Sequence, residues 1–214
     1  MNEKEIYIKI LQWLNNKKEV AIANVIETWG SSPRPVGSIM AINSDHDIIG
    51  SVSGGCVENF VFGKALEVIK NNNVETLEFG VTNSKAWEVG LTCGGKIKVF
   101  LEKISHKDID FIKKVNEVYT KNETMVIATR LNDGKRDIFD NTTANKSKAK
   151  FKIDFNTIKP SIRLLDNQEW FLKVFQNNAK IIIIGAVHIA ESLINLANHL
   201  TYEVFLIDPR STFN

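Results

Sequence analysis

Three glycine-rich stretches in the first half of the chain constrain its fold more than any other feature. They read Trp29-Gly30-Ser31-Ser32-Pro33-Arg34-Pro35-Val36-Gly37-Ser38, Gly50-Ser51-Val52-Ser53-Gly54-Gly55-Cys56-Val57-Glu58 and Trp87-Glu88-Val89-Gly90-Leu91-Thr92-Cys93-Gly94-Gly95. Glycine permits positive φ and close backbone approach, and Pro33 and Pro35 forbid regular strand pairing, so the three stretches are loops. The chain's two cysteines fall in the second and third, one just after a Gly-Gly pair and the other just before one. Such loops bring main-chain N–H groups and a thiol up to a bound ligand.

Composition narrows the classes of ligand and partner. Lys and Arg number 27 against 25 acids, a net charge of +2, with no basic stripe interleaved with aromatics. Nucleic acid is therefore excluded as an expected partner. The charged start Met1-Asn2-Glu3-Lys4-Glu5 runs into an amphipathic pattern, and no apolar run reaches transmembrane length. A cytoplasmic protein with no membrane partner is expected. With no Cys-x-x-Cys and no His-x-x-x-His pair there is no zinc framework, and the thiols of a reducing compartment are expected to be free.

Taken in order, Ile6, Ile10, Trp13 and Leu14 recur at helical spacing and predict an opening helix ending near residues 15–18. Strands are expected over 20–28, 38–43 and 47–52, the last two joined by a polar tip at Asn43-Ser44-Asp45-His46-Asp47. Asp45, His46 and Asp47 are of metal-ligand type, but a solvated hairpin tip is favoured for them. Val61, Phe62, Ala65, Leu66 and Ile69 carry the period of a helix over 58–70 packed on a sheet. Its N-terminus would follow Ser53-Gly54-Gly55-Cys56, where the helix dipole and unsatisfied N–H groups suit an anion and a thiolate. Glu58 is expected to cap that helix. Strands over 74–81 and 96–103 flank the third loop. A helix over 106–121, a strand over 124–131 and a turn at Asn132-Asp133-Gly134-Lys135 follow. Residues 141–150 have a loop or linker composition, and edge strands are expected over 151–154 and 169–175.

The chain changes character at Lys180. Ile181-Ile182-Ile183-Ile184 has the composition of a strand buried on both faces of a parallel sheet, and Gly185-Ala186-Val187-His188 turns it into a helix. A second strand over 203–207 ends at Asp208, about where an acid binds a ribose hydroxyl in a dinucleotide fold. Val187 stands where the second glycine of Gly-x-Gly would be and crowds a pyrophosphate. The expected fold class is α/β: an N-terminal α+β domain over 1–103, a less distinctive connecting region over 104–179, and the opening βαβ of an incomplete Rossmann-like domain over 180–214. Binding of NAD(H) or NADP(H) is not expected to be tighter than millimolar.

The three loops, the run Glu78-Phe79-Gly80-Val81-Thr82-Asn83 and the late Gly185-Ala186-Val187-His188 resemble the xanthine dehydrogenase accessory protein family, XdhC/CoxI type. The resemblance is strongest over 20–103 and 180–214. It implies a protein that binds the molybdenum cofactor (molybdopterin), helps it acquire its terminal sulfur together with a cysteine desulfurase, and delivers it to xanthine dehydrogenase or a related molybdenum hydroxylase. The family's Rossmann domain usually continues past the acid after its second strand, so a shortened form is expected here.

Molybdopterin presents a phosphate, a polar ring system and a soft metal dithiolene, which call for N–H donors, a flat surface and soft sulfur. The expected cofactor-binding residues are Cys56, Cys93, Gly54, Gly55, Gly94, Gly95 and Arg34, with Cys56 and Cys93 as molybdenum contacts and Trp29 or Trp87 over the ring. No catalytic residue is assigned. A cofactor maturation and insertion factor is favoured over an NAD(P)-dependent oxidoreductase, and over a cysteine-based transfer enzyme. A second copy of the chain is a further candidate partner.

Overall fold

A computed structural model of the chain describes residues 2–80, 94–121, 123–143, 146, 150–176, 179–200 and 202–210. Glu3–Gln176 form one compact unit and Asn177–Asn214 a second.

The first unit is built on β1 (Val20–Trp29), the central strand of a five-stranded antiparallel sheet. Its neighbours are β2 (Ile39–Asn43) and β5 (Lys96–Ile104), with β3 (Ile48–Gly50) and β4 (Val74–Phe79) at the edges, in the order β3-β2-β1-β5-β4. Alternate side chains of a strand point to opposite faces, and β1 is apolar on both. Val20 and Ile22 face α1 (Glu3–Asn15) and α3 (Ile109–Lys121), whereas Ala21, Ala23 and Val25 face α2 (Glu58–Asn71). Ile6, Ile10, Trp13 and Leu14 are all buried against the sheet, as their spacing predicts. A β-bulge between Val25 and Glu27 re-phases the strand. Ile26 then joins Phe100, Leu131 and Phe171 in a separate apolar cluster.

Those last two residues belong to the region downstream of β5. Here β6 (Met125–Arg130), β7 (Arg136–Phe139), β8 (Ser161–Leu165) and β9 (Gln168–Phe175) form a second antiparallel sheet in the order β7-β6-β9-β8. Position 103, the expected domain end, lies inside β5. The next residue, Ile104, shares a core with α1, with Ile112, Val115 and Val118 of α3, and with Met125 and Phe175 of the second sheet. Arg136 ties the sheets with charge: its Nε and Nη2 donate to Glu102 Oε2 at 3.0 and 2.6 Å, and its Nη1 to Asp108 Oδ1 at 2.9 Å.

Two expectations change. Residues 152–154 are irregular, although Phe151 and Ile153 are buried in the core of the second sheet. The strand expected at an edge over 169–175 is internal, flanked by β6 and β8, and buried from Trp170 to Phe175. Strand β8 carries no readable period because Arg163 and Leu164 are both exposed. The expected linker over 141–150 falls partly outside the described residues; its first residues, Asn141–Thr143, form a short 3-10 turn.

The second unit is a parallel βαβ: β10 (Lys180–Ile184), α4 (His188–His199) and β11 (Glu203–Ile207), with Ile182 opposite Phe205. Ala190 and Ala197 are the buried positions of the helix. The four isoleucines are not buried on both faces: Ile182 is 63% and Ile184 78% exposed. A strand acquires two covered faces only in a sheet with layers above and below it, and β10 pairs with β11 in a sheet of two.

Candidate functional site

The glycine loops converge at one end of the first sheet. Gly30, with φ 66°, lies so close to loop three that a Cβ on it would sit 3.6 Å from Gly95 Cα. A Cβ on Gly95 would be 2.4 Å from Ser31 O and 3.1 Å from Trp29 O, so no side chain fits there. Loop two meets loop one as well, since a Cβ on Gly54 would touch Pro33 Cβ at 3.9 Å. Gly94 and Gly95 of loop three are thus joined to loop one. Residues 81–93, with Trp87 and Cys93, lie outside the described residues.

A cleft of about 350 Å³ opens where loops one and three meet, lined by Trp29, Gly30, Phe79, Gly80, Gly94 and Lys96 among others. Trp29 is 46% exposed, which leaves indole surface at the cleft accessible to a guest. Lys96, which sequence reasoning passed over, brings a cation to the same cleft. Its signal was position: it follows Gly94-Gly95 directly. Arg34 is elsewhere, in a different cleft with Lys173 and Pro160.

Loop two is organised by Glu58, the first residue of α2, and not in the way a helix cap would be. No side chain caps the helix at Val57. Instead the Glu58 carboxylate reaches back and accepts the backbone N–H groups of Val52, Ser53, Gly54 and Gly55 at 3.2, 2.8, 3.1 and 2.8 Å. The hydroxyls of Ser51 and Ser53 donate to it at 2.6 and 2.5 Å. Partial burial opposes its ionisation, but the bonds from Ser51 and Ser53 outweigh that and bring the carboxyl from 4.5 down to about 2. The concave run of amides predicted to hold a ligand's anion is therefore filled by the chain's own acid. The Ser53 hydroxyl oxygen in turn accepts the N–H groups of Cys56 and Val57 at 3.0 and 2.9 Å. Cys56 is a free thiol, half-buried beside the α2 core, with its backbone fixed by that network.

The acids of the hairpin tip are engaged by the chain itself. Asn43 Oδ1 accepts the N–H groups of Asp45 and Asp47, and Lys18 pairs with both aspartates, at 2.8 and 3.3 Å. Among the described residues no group of three or more His, Cys, Asp or Glu side chains could hold a metal ion.

In the second unit Asp208 does not stand free for a ribose. It accepts the Ala186 N–H at 2.6 Å and the Nε and Nη2 of Arg210 at 2.9 and 2.7 Å. The Arg210 side chain, its amide and that of Ala186 hold the carboxyl well below the usual carboxylate range.

Residues 13–80, which span β1, loops one and two and α2, match the sequence model of the XdhC and CoxI family. This region belongs to that family. This chain is also similar to the molybdenum cofactor insertion chaperone PaoD of Escherichia coli (strain K12), 32% identical over 91 residues, 42% of this chain and 28% of that protein. A protein of Bacillus subtilis (strain 168) described as a probable xanthine dehydrogenase subunit is 28% identical over 107 residues, 49% of this chain and 32% of that protein. The matched stretches thus span less than a third of these two curated relatives. A crystal structure of a xanthine dehydrogenase from Bacillus halodurans superposes with a TM-score of 0.67 at 21% identity, covering 96% of this chain and 63% of that one. The α/β fold is shared along nearly the whole chain. Among the described residues no helix is long and apolar enough to cross a membrane.

Proposed function

We propose that this chain is a cytoplasmic accessory protein that binds the molybdenum cofactor as cargo and supports its sulfuration and insertion into xanthine dehydrogenase or a related molybdenum hydroxylase. The observation that carries this role is the convergence of loops one, two and three, which brings an exposed indole, a lysine and the loop of a free cysteine to one end of the sheet. The names of PaoD and of the Bacillus subtilis relative support it.

The residues fit the cargo's chemistry in parts. The cleft of about 350 Å³ lies at the lower end of the range of about 300–1,000 Å³ for small-molecule sites. Trp29 suits the planar ring system. With the amides of loop two taken by Glu58, the phosphate is left to Lys96 and to Gly30, Gly94 and Gly95 at the mouth. Cys56, and Cys93 from the same loop as Gly94, supply the soft donors for molybdenum. A cysteine desulfurase and the recipient enzyme are the protein partners, and a second copy of the chain is a further one.

The test is the metal and pterin content of protein purified from a host that makes the cofactor. The wild type should retain both, and Cys56→Ser with Cys93→Ser should lose most of the molybdenum while the circular dichroism spectrum stays the same. Equal molybdenum in the double variant removes the cysteines from the site. Absence of pterin from the wild type removes the role.

A further inference from the structure

Arg34 and Lys173 line a cleft of about 270 Å³ that shares no residue with the Trp29–Gly94 cleft. Three charged side chains border it, Glu3 of α1, Arg34 of loop one and Lys173 of β9. Lys173 is fully engaged. Its side chain is only 6% exposed, and its ammonium lies 2.6 Å from Glu3 Oε1, 3.0 Å from Asn24 Oδ1 and 2.7 Å from the Gly37 carbonyl oxygen. An ammonium has three protons to donate, and three acceptors meet it. Glu3 also cancels its charge.

Arg34 is different. Its Nε is buried and has no hydrogen-bond partner among the described residues. A buried donor without an acceptor carries an uncompensated desolvation penalty, and a guanidinium asks for a planar, two-oxygen acceptor. The backbone also holds Arg34 in place. Pro33 and Pro35 fix φ on either side, and the Ser32 hydroxyl donates to the Arg34 carbonyl at 3.0 Å. Gly37, at φ 95°, packs so tightly on Pro160 that a Cβ would lie 3.3 Å from its ring. A guanidinium on a restrained backbone, with a buried donor and a charge that no acid among the described residues meets, is half of an ion pair.

We propose that this cleft binds a small oxyanion, a phosphate or carboxylate group, through the fork of Arg34. Ser38, which lines the cleft, adds a hydroxyl. The volume lies just under the range of about 300–1,000 Å³ typical of drug-sized ligands, so the group bound there is small or is the end of a larger molecule that projects outward. Two sources share this chemistry: a free anion such as inorganic phosphate, and the phosphate of the proposed cofactor cargo. In the second case the site rests on the proposed function and takes over from Lys96 and the glycines the holding of the cofactor's phosphate; in the first it is independent of it.

Inorganic phosphate at constant ionic strength, titrated against the full chain, is the probe. Phosphate should raise the melting temperature of the wild type with saturation, and Arg34→Gln should weaken that response about ten- to hundredfold, with Arg34→Lys in between. Broadening of the phosphorus-31 resonance on adding wild-type protein, absent with chloride-washed Arg34→Gln, reads the same event without a melting curve. It also serves if the variant folds poorly. Release of retained pterin by phosphate identifies the cofactor's phosphate as the ligand; phosphate binding with pterin undisturbed identifies a free anion. An equal response of wild type and Arg34→Gln, or no response of the wild type, overturns the proposal. Pterin retention by the wild type is scored separately, so a failure of the cargo role does not pass for a failure of this site.

Discussion

Two turns in this chain run from a strand to a helix through glycine, and each is closed by a carboxylate of the chain itself, but the acids act over different distances. Glu58 lies three to six residues from the four amides it accepts, and it collects two hydroxyls as well. Asp208 lies 22 residues from Ala186, whose single amide it accepts, and reaches it only because β10 and β11 are paired. The first turn is built from local sequence, and its donors are satisfied without any ligand. The second depends on a remote contact and on Arg210. An anion offered to loop two must displace six donors' worth of carboxylate, which is why the proposed site looks to Lys96 instead.

The largest effect should come from removing the local acid. Glu58→Ala leaves four loop amides and two serine hydroxyls without their acceptor, and a loss of ~2–4 kcal/mol in urea unfolding is expected. A loss under ~1 kcal/mol would show that water replaces the carboxylate and that the loop is not held as described. Next in size is the packing of loop one on loop three. Gly95→Ala places a methyl 2.4 Å from Ser31 O, an overpacking worth about 1–3 kcal/mol. Gly185→Ala at φ 109° meets nothing within 4 Å, so it should cost less, about 1 kcal/mol, from backbone strain alone. If the order of the two glycine variants reverses, the close approach of the loops is wrong.

Acid should erase part of the contrast. Glu58 is depressed in the folded protein from 4.5 to about 2, so its stabilisation is fully present above pH 4.5 and is lost as the pH falls toward 2. The melting temperatures of wild type and Glu58→Gln should differ most at neutral pH and converge through that window. A constant gap down to the acid end would assign the difference to packing and not to charge. The smallest effect belongs to Asp208→Asn. Hydrogen exchange at the Ala186 amide should quicken, while the unfolding of residues 3–176 is unchanged. A shift of that main transition would mean the two units are energetically coupled.

The legible parts of the sequence were those where one period decides one environment. Ile6, Ile10, Trp13 and Leu14 gave α1, and the β-branched run from Val20 gave the central strand. A run of four isoleucines, by contrast, reads alike in a sheet of two strands or six, and exposure is settled by neighbours that the run does not contain. Lys173 was invisible as a tether because its partners, Glu3, Asn24 and Gly37, lie more than a hundred residues upstream. Glu58 was readable in principle: an acid three residues after a Gly-Gly pair, behind two serines, is what a self-filled amide turn requires. Its proximity to α2 made a helix cap the simpler expectation, and geometry alone separated the two.

The central place of β1 sets the order in which this protein can be made. Val20 pairs with Ile104, 84 residues further along, so the middle of the sheet closes only after all three glycine loops have left the ribosome. Contacts so distant in sequence slow folding and leave the early strand waiting. The lip where Gly30 meets Gly95 forms together with that late pairing. A nascent chain therefore has no finished cleft to offer any ligand until its synthesis has passed β5.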